Sequence, residues 1–201
     1  MSKYLMLLLS ILSFSPVVFS QAVNTNFGLD SSKSQLFWKS NKKIGSGHYG
    51  TIQFSFGKIV VSANGSILGG TFILDMNTIN STEKISENGR KEVNGVIKSD
   101  EFFYVKRFTA GVMTLKSVTP ISGDYQYTVT GELTVKNITK PVTFVATITK
   151  NGDAMFSKAS FKIDRRLWHI GFKPEVLFGE IKDDMIEYLI DIELDLTFSR
   201  Q

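Results

Sequence analysis

The amino-acid sequence predicts an all-β protein, an extended antiparallel β-barrel of about eight strands with short helical insertions. Apolar and polar residues alternate along most of the chain, which is typical of strands with one buried face. Glycines and polar turns separate these runs, and Asn151-Gly152 is a strong hairpin signal. A closed barrel suits one-sided strands because closure leaves no edge strand free to pair with another molecule.

The alternation gives the expected position of each strand. Gly57 is expected to end one strand before the next begins at Ile59. Gly69-Gly70, inside a run, indicates a bulge or a close backbone approach. We expect strands over residues 36–39, 46–56, 59–62, 67–76, 111–118, 124–136, 142–149, 154–163 and 186–198.

Two segments lack the alternation of strands. Residues 82–98 are rich in charge and are predicted to form a helical insertion, interrupted by Gly89 and Gly95. Ser99 is the expected N-cap of a further short helix that ends near residue 105. The second segment covers residues 164–184. Because loops often carry function, residues 82–105 are a candidate gate.

The N-terminus is predicted to be a secretory signal peptide that covers residues 1–20. Lys3 precedes an apolar run that is too short to span a bilayer, and small residues precede a cut between Ser20 and Gln21. Residues 21–201 then form a single domain. The expected location of the mature protein is the periplasm or the medium.

Composition excludes several classes of function. The formal net charge is +4, and no cluster of basic residues with exposed aromatics suggests nucleic-acid binding. The chain has no cysteine, so neither disulfides nor thiol chemistry is available. Its 2 histidines, His48 and His169, show no metal-ligand spacing. We therefore expect no metal and no cofactor.

The order of the motifs resembles the YceI-like family, whose members are exported bacterial proteins described as polyisoprenoid- or lipid-binding. The resemblance covers nearly the whole mature chain. It implies a lipocalin-like barrel with an apolar tunnel for an isoprenoid quinone, a polyprenyl-type lipid or another amphiphile. It is carried by Trp38-Lys39, Gly47-His48-Tyr49-Gly50, Gly69-Gly70-x-Phe72-x-x-Asp75-Met76, Lys98-Ser99-x-Glu101-Phe102-Phe103, Gly131-x-Leu133-Thr134-Val135-x-x-Ile138-Thr139-Lys140-Pro141-Val142 and Phe161-x-Ile163-Asp164-Arg165-x-x-Trp168.

One motif departs from the family pattern. Before Lys98-Ser99 the family usually has Leu-His-Leu, whereas this chain has Val96-Ile97. Any polar contact that this histidine makes in the family is not expected here. The barrel itself does not depend on it.

The candidate ligand-binding residues are large, apolar and mostly aromatic, which suits a flexible hydrocarbon chain. Any single one of them could equally pack a solid core, and Trp168 could plug a barrel end. The candidates for the tunnel are Phe54, Phe72, Leu74, Met76, Phe102, Phe103, Met113, Phe144, Phe161 and Trp168. His48, Asp75 and Arg165 are candidates for contacts with a head group at the tunnel mouth, and Asp75 and Arg165 could instead pair with each other.

Three other readings stay open at this point. The first is an enzyme that acts on a hydrophobic substrate, although the sequence shows no nucleophile–base pair and no catalytic residue is expected. An outer-membrane barrel is another, but the charged faces of the strands favour a water-facing exterior over an integral membrane protein. The third is an interaction module of the cell envelope, which could also form a homodimer.

Overall fold

The structure is a computed structural model that describes residues 23–121, 123, 125–173, 178, 182–183 and 185–201. The predicted signal peptide, residues 1–20, and its cut after Ser20 lie outside the described residues. The elements are β1 (Thr25–Leu29), β2 (Gln35–Lys42), β3 (His48–Val61), β4 (Ile67–Ser81), α1 (Glu87–Lys98), β5 (Ala110–Pro120), β6 (Gln126–Val135), β7 (Ile138–Asn151), β8 (Ala154–Asp164), a 3-10 helix (Arg165–Trp168) and β9 (Ile186–Arg200). The described part of the chain contains no helix long and apolar enough to cross a membrane.

The strands form one antiparallel sheet that closes on itself. The order is β1-β3-β2-β9-β8-β7-β6-β5-β4, and pairing of β3 with β4 joins the ends. The β3–β4 ladder extends from Gly50 opposite Ser81 to Val61 opposite Ile67, with register shifts along it. These shifts bend the two long strands enough to close the ring. The predicted all-β barrel is confirmed.

β1 and β2 share one position in the ring. β2 pairs with β3 and β9 near one end of the barrel, and β1 pairs with the same two strands near the other. The chain turns between them at Asp30, whose carboxylate accepts hydrogen bonds from Ser32. The nine strands therefore occupy eight positions around the barrel. β1 was not predicted, and its 5 residues include only two large apolar side chains, Phe27 and Leu29.

The predicted break at Gly57 is wrong. β3 continues through Gly57, which pairs with Phe72 of β4. A Cβ atom at residue 57 would lie 2.5 Å from the Cβ atom of Leu29 in β1. Glycine is therefore needed for close packing against β1, not to end the strand.

The helical insertion is confirmed as α1, and it continues through both glycines. Ser86 caps its N-terminus by accepting a hydrogen bond from the Gly89 N–H group. The prediction that Ser99 begins another helix is wrong. Its N–H and hydroxyl groups both donate to the Val96 carbonyl, so Ser99 ends α1.

The barrel end beside β1 is packed shut. Phe27 is fully buried there, and Phe72 makes edge-to-face contacts with Phe54 and Phe198. The predicted irregularity near Gly69-Gly70 is confirmed, because the β3–β4 register shifts where Val61 pairs with Ile67. Since this end is mostly filled by core side chains, we expect the larger internal space to lie toward the α1 end.

We expect Gly50→Ala to destabilise the protein. Gly50 lies in β3 opposite Trp38 and Ser81, and an added Cβ atom would lie 1.9 Å from the Asn80 carbonyl oxygen. Relieving that clash requires backbone movement in β4, at a cost of about 1–3 kcal/mol or more. The free energy of unfolding, measured by urea titration, should fall accordingly.

Gly95→Ala is the matched control. No atom lies within 4 Å of the added Cβ position, and Gly95 is in the interior of α1. Alanine favours a helix over glycine by up to about 1 kcal/mol, so stability should be unchanged or higher. Equal losses of unfolding free energy in the two variants would contradict the close approach of β3 and β4.

Candidate functional site

The α1 end of the barrel contains an apolar cavity of about 540 Å³. Its walls come from the inward faces of strands on all sides of the ring, and α1 covers part of its open end. The size is within the range of about 300–1,000 Å³ that is usual for small-molecule sites. The apolar lining is Leu36, Trp38, Ile52, Leu74, Met76, Val93, Val96, Ile97, Phe102, Phe103, Met113, Leu133, Val135, Val142, Phe144, Phe161, Ile163, Ile170, Phe172, Met185, Ile186, Ile190, Ile192 and Leu194.

A second, smaller cavity of about 90 Å³ lies deeper in the barrel, toward β1. Phe54 and Phe72 line it together with other core residues. Three residues, Met113, Phe144 and Leu194, line both cavities. They form the boundary, or neck, between the two cavities.

The backbone pairing of β7 with β8 ends beside the neck. The β7–β8 ladder extends from Asn151 opposite Ala154 only as far as Ala146 opposite Ala159. Beyond it, the rings of Phe144 and Phe161 stack with their centroids 4.2 Å apart and 8° between their planes. Side-chain stacking thus replaces backbone hydrogen bonds in this part of the wall.

Three charged residues and two exposed apolar residues lie around the opening. Lys42 ends β2, Glu92 and Val96 lie on the exposed side of α1, and Lys182 and Met185 precede β9. The interior is therefore apolar and the rim is charged. That arrangement suits an amphiphile whose chain is buried and whose polar end faces water.

A buried polar network fixes α1 against the barrel. The Asn94 side-chain oxygen accepts a hydrogen bond of 2.7 Å from the Ser81 N–H group, which ties α1 to the end of β4. The Glu83 carboxylate accepts from the Ser81 hydroxyl at 2.9 Å and lies 3.0 Å from His48 Nδ1. Both Ser81 and Glu83 are buried. The sequence reasoning missed this network, because its members lie in three elements.

This network does not have the geometry of a hydrolase triad. In a triad the histidine lies between the serine and the acid, so that it can remove the hydroxyl proton. Here Glu83 lies between Ser81 and His48 and bonds to both. Across the residues described, His, Asp and Glu side chains form no group of three that would hold a metal ion.

Arg165 is a structural anchor in the cavity wall. Its side chain is 2% exposed, and its guanidinium bonds to the Asp183 carboxylate at 2.8 and 3.1 Å. It also donates to the Ile170, Asp183, Ile186 and Glu187 carbonyls. Every N–H group of the side chain therefore has a protein acceptor. Asp183 also accepts from the Phe172 N–H group, so the pair joins the residues after the 3-10 helix to those before β9.

The next residue, Arg166, has a different environment. It is half-exposed and lies beside Asp164, which also caps the 3-10 helix through the Arg166 N–H group. The hydrogen bond from the Arg166 side chain holds the pKa of Asp164 below its usual value.

Nearby, burial lowers the pKa of Lys136, whose ammonium donates to the His169 carbonyl at 2.6 Å.

The structure brings most of the tunnel candidates together. Phe54 and Phe72 lie at the deeper cavity, and the neck residues Met113 and Phe144 belong to both spaces. The candidates that line the large cavity are Leu74, Met76, Phe102, Phe103, Met113, Phe144 and Phe161.

Trp168 and Asp75 lie outside the residues that line either cavity. Trp168 is 1% exposed and packs with Phe102, Val135 and Ile170, and its Nε1–H donates to the Leu133 carbonyl at 3.2 Å. It therefore closes part of the α1 end, as a plug would. The Asp75 carboxylate accepts from the side chain and N–H group of Asn77.

The suggested pairing of Asp75 with Arg165 is wrong, because Arg165 pairs with Asp183. His48 does line the cavity, with its Nδ1 directed to Glu83.

Several lining residues were missed. Leu36 and Trp38 on β2 and Ile190 and Ile192 on β9 face the cavity. The alternation of these strands was a usable signal, since it places them on the inward face. The tunnel residues predicted from the sequence were instead mainly phenylalanine and methionine. Ile170 and Phe172 lie in an irregular segment, where no periodicity could identify them.

An antiparallel barrel with a closed end and an apolar cavity open at the other end has the lipocalin-like architecture. The chain belongs to the YceI-like domain family, whose model matches residues 27–198. None of the curated proteins compared with the chain matches it.

Solved structures show the same fold. BcnA from Burkholderia cenocepacia is 21% identical, with a TM-score of 0.68 over 84% of this chain and 98% of its own. A polyisoprenoid binding domain from Saccharophagus degradans, implicated in plant cell wall breakdown, is 14% identical, with a TM-score of 0.64 over 87% and 98%. The YCEI protein of Campylobacter jejuni is 15% identical, with a TM-score of 0.52 over 100% and 99%.

We expect Arg165→Met to destabilise the protein strongly. Methionine keeps much of the apolar volume but leaves the partly buried Asp183 carboxylate and several carbonyl groups without their donor. Removing one partner of a buried pair typically costs about 3–5 kcal/mol. Urea unfolding of the mature protein measures the loss.

Arg166→Met serves as the control at the adjacent residue. Its guanidinium is half-exposed, pairs with Asp164 and lies 3.9 Å from the centre of the Tyr188 ring, and each of these contacts contributes about 1 kcal/mol or less at an exposed site. Its removal should therefore cost much less stability than that of Arg165. If both variants unfold at the same urea concentration as the wild type, Arg165 does not anchor the segment before β9.

Proposed function

We propose that this protein binds a long isoprenoid or other amphiphilic lipid inside the barrel and carries or sequesters it. The observation that carries the proposal is the apolar cavity of about 540 Å³ with its charged rim. Membership of the YceI-like family supports it, as does the description of the Saccharophagus degradans relative as polyisoprenoid-binding.

The lining suits a hydrocarbon chain. Burial of each CH₂ group stabilises a complex by about 0.8 kcal/mol, so a long chain needs little hydrogen bonding to bind tightly. Met76 and Met113 provide flexible side chains that adapt to a chain with more than one conformation. Branched prenyl groups would contact Phe103, Phe144 and Phe161 along the wall.

The position of the neck determines the orientation of the bound lipid. The apolar end would pass between Met113, Phe144 and Leu194 into the deeper cavity. The polar end would then lie at the rim, near Lys42 and Lys182. Arg165 would not contact it, because its donors are engaged by protein acceptors.

We propose that binding takes place outside the cytoplasm, after removal of residues 1–20. The motivation is the charged and apolar order of the N-terminal segment. The protein is proposed to act without catalysis, since Glu83 lies between Ser81 and His48 and these two residues do not form a nucleophile–base pair. N-terminal sequencing of the exported protein tests the cut, and a mature N-terminus at Met1 would overturn it.

A chain-length series tests the binding proposal. The delipidated mature protein is titrated by calorimetry with prenyl quinones and polyprenols of increasing length. Affinity should rise with each added prenyl unit until the cavities are filled and then level off. Absence of binding at every length would overturn the proposal and favour an interaction module.

Leu194→Phe is expected to shorten the chain that the protein accepts. Leu194 lies at the neck, and the larger ring would narrow the passage to the deeper cavity. Losing contact with about two CH₂ groups costs about 1.6 kcal/mol, which weakens binding of long chains roughly tenfold. Short chains, which end before the neck, should bind with unchanged affinity in the same titration.

Leu189→Phe is the matched control on the same strand. Leu189 is exposed and lies outside both cavities. Its substitution should leave the whole length series unchanged. A uniform loss of affinity at all lengths in Leu194→Phe would show that the neck does not control chain length.

A further inference from the structure

Trp38 carries a buried hydrogen-bond donor that has no partner among the residues described. Its side chain is 7% exposed, and Nε1 is the buried side-chain nitrogen without an acceptor in this part of the chain. Trp168 differs, because its Nε1–H donates to the Leu133 carbonyl. Most buried polar groups in native proteins have a partner, since leaving one unbonded forfeits its hydration without compensation.

The location of this donor relates it to the site. Trp38 lies on the inward face of β2 and lines the large cavity. Its cross-strand neighbours are Gly50 in β3 and Ile192 in β9, neither of which has a side-chain acceptor. Neither cross-strand neighbour therefore has a side chain that could accept a hydrogen bond from the Trp38 Nε1–H group.

The inward face of β2 becomes more polar toward the opening. Leu36, Trp38, Ser40 and Lys42 follow one another at every second residue, and all line the cavity. The sequence of side chains is aliphatic, indole, hydroxyl and ammonium. Trp38 thus lies where the apolar interior changes to the polar rim, and this is where the first oxygen of an amphiphile would lie.

We propose that the indole N–H group of Trp38 donates a hydrogen bond to an oxygen atom of the bound lipid. This assigns the ligand class more narrowly than the fold does: a long apolar chain that ends in a neutral oxygen acceptor, such as a carbonyl or hydroxyl group. A plain hydrocarbon of equal length would leave the donor unbonded and would bind less tightly. The inference rests on the lipid-binding function proposed above.

The test compares three probes that share one isoprenoid chain length: a prenyl quinone, a polyprenol and an isoprenoid hydrocarbon without oxygen. Each is titrated by calorimetry into delipidated wild-type protein and Trp38→Phe. Phenylalanine keeps an aromatic ring in the wall and removes the N–H group. We expect Trp38→Phe to lower the affinity for the oxygenated probe that occupies the site by about 5- to 100-fold. The affinity for the hydrocarbon should be unchanged.

The two oxygenated probes distinguish the source of the acceptor. Loss confined to the quinone identifies a carbonyl oxygen, and loss confined to the polyprenol identifies a hydroxyl oxygen. A loss of equal size for all three probes would overturn the inference, because Trp38 would then contribute only packing. No loss for either oxygenated probe would overturn it as well.

A second measurement reports on the hydrogen bond directly. The chain has 2 tryptophans, so a ¹H–¹⁵N spectrum contains two indole signals, and Trp168→Phe assigns them. The Trp38 indole proton should move downfield on adding the oxygenated probe and much less with the hydrocarbon. An indole signal that responds equally to both would contradict the bond.

These outcomes separate the inference from the function on which it rests. If the wild-type protein binds the hydrocarbon and the oxygenated probes equally well, the inference fails and the lipid-binding function stands. If the wild-type protein binds none of the three, both fail.

Discussion

Closure of the sheet is the constraint on which the remaining features depend. The β3–β4 ladder joins the ends of the sheet, and the ring of strands separates an inner face from an outer one. At the β1 end, Phe27, Phe198 and their neighbours pack the interior and leave only the smaller cavity of about 90 Å³. At the α1 end the ring is open and the inward side chains line a space. One architecture therefore supplies both the stability and the site.

Two polar anchors hold the open end in shape. Asn94 and Glu83 join α1 and the chain before it to the end of β4, and Arg165 joins the 3-10 helix to the residues before β9. Arg165 and His48, the partner of Glu83, line the cavity, so each anchor reaches the cavity wall. Their buried bonds allow a wide apolar mouth to keep one geometry.

Much of the fold was predictable because a strand with one buried face has a local signature. The period of two in residues 186–198 predicts β9 and also which residues face inward. Gly57 was misinterpreted because its role depends on Leu29, which is distant in sequence. Ser99 was misplaced because serine is common at helix N-termini, and the local sequence does not show that α1 ends there.

The site was less predictable than the fold. Phenylalanine and methionine identify hydrophobic walls in general, yet Trp168 closes the barrel end while Trp38 faces the cavity. Sequence alone does not distinguish the two indoles; the acceptor at Leu133, far away in the chain, does. The pairing of Arg165 with Asp183 likewise crosses an irregular segment without periodicity. Cavities and buried pairs arise from tertiary packing, which local patterns do not encode.

The central claim is that the barrel holds a long apolar chain. Native mass spectrometry of the protein purified from its own cells, followed by organic extraction, tests it most directly. The account predicts a discrete adduct, one per chain, that extracts as a long-chain lipid ending in an oxygen-bearing group. A mass equal to that of the polypeptide alone, with no uptake of an added prenyl quinone or polyprenol, would contradict it.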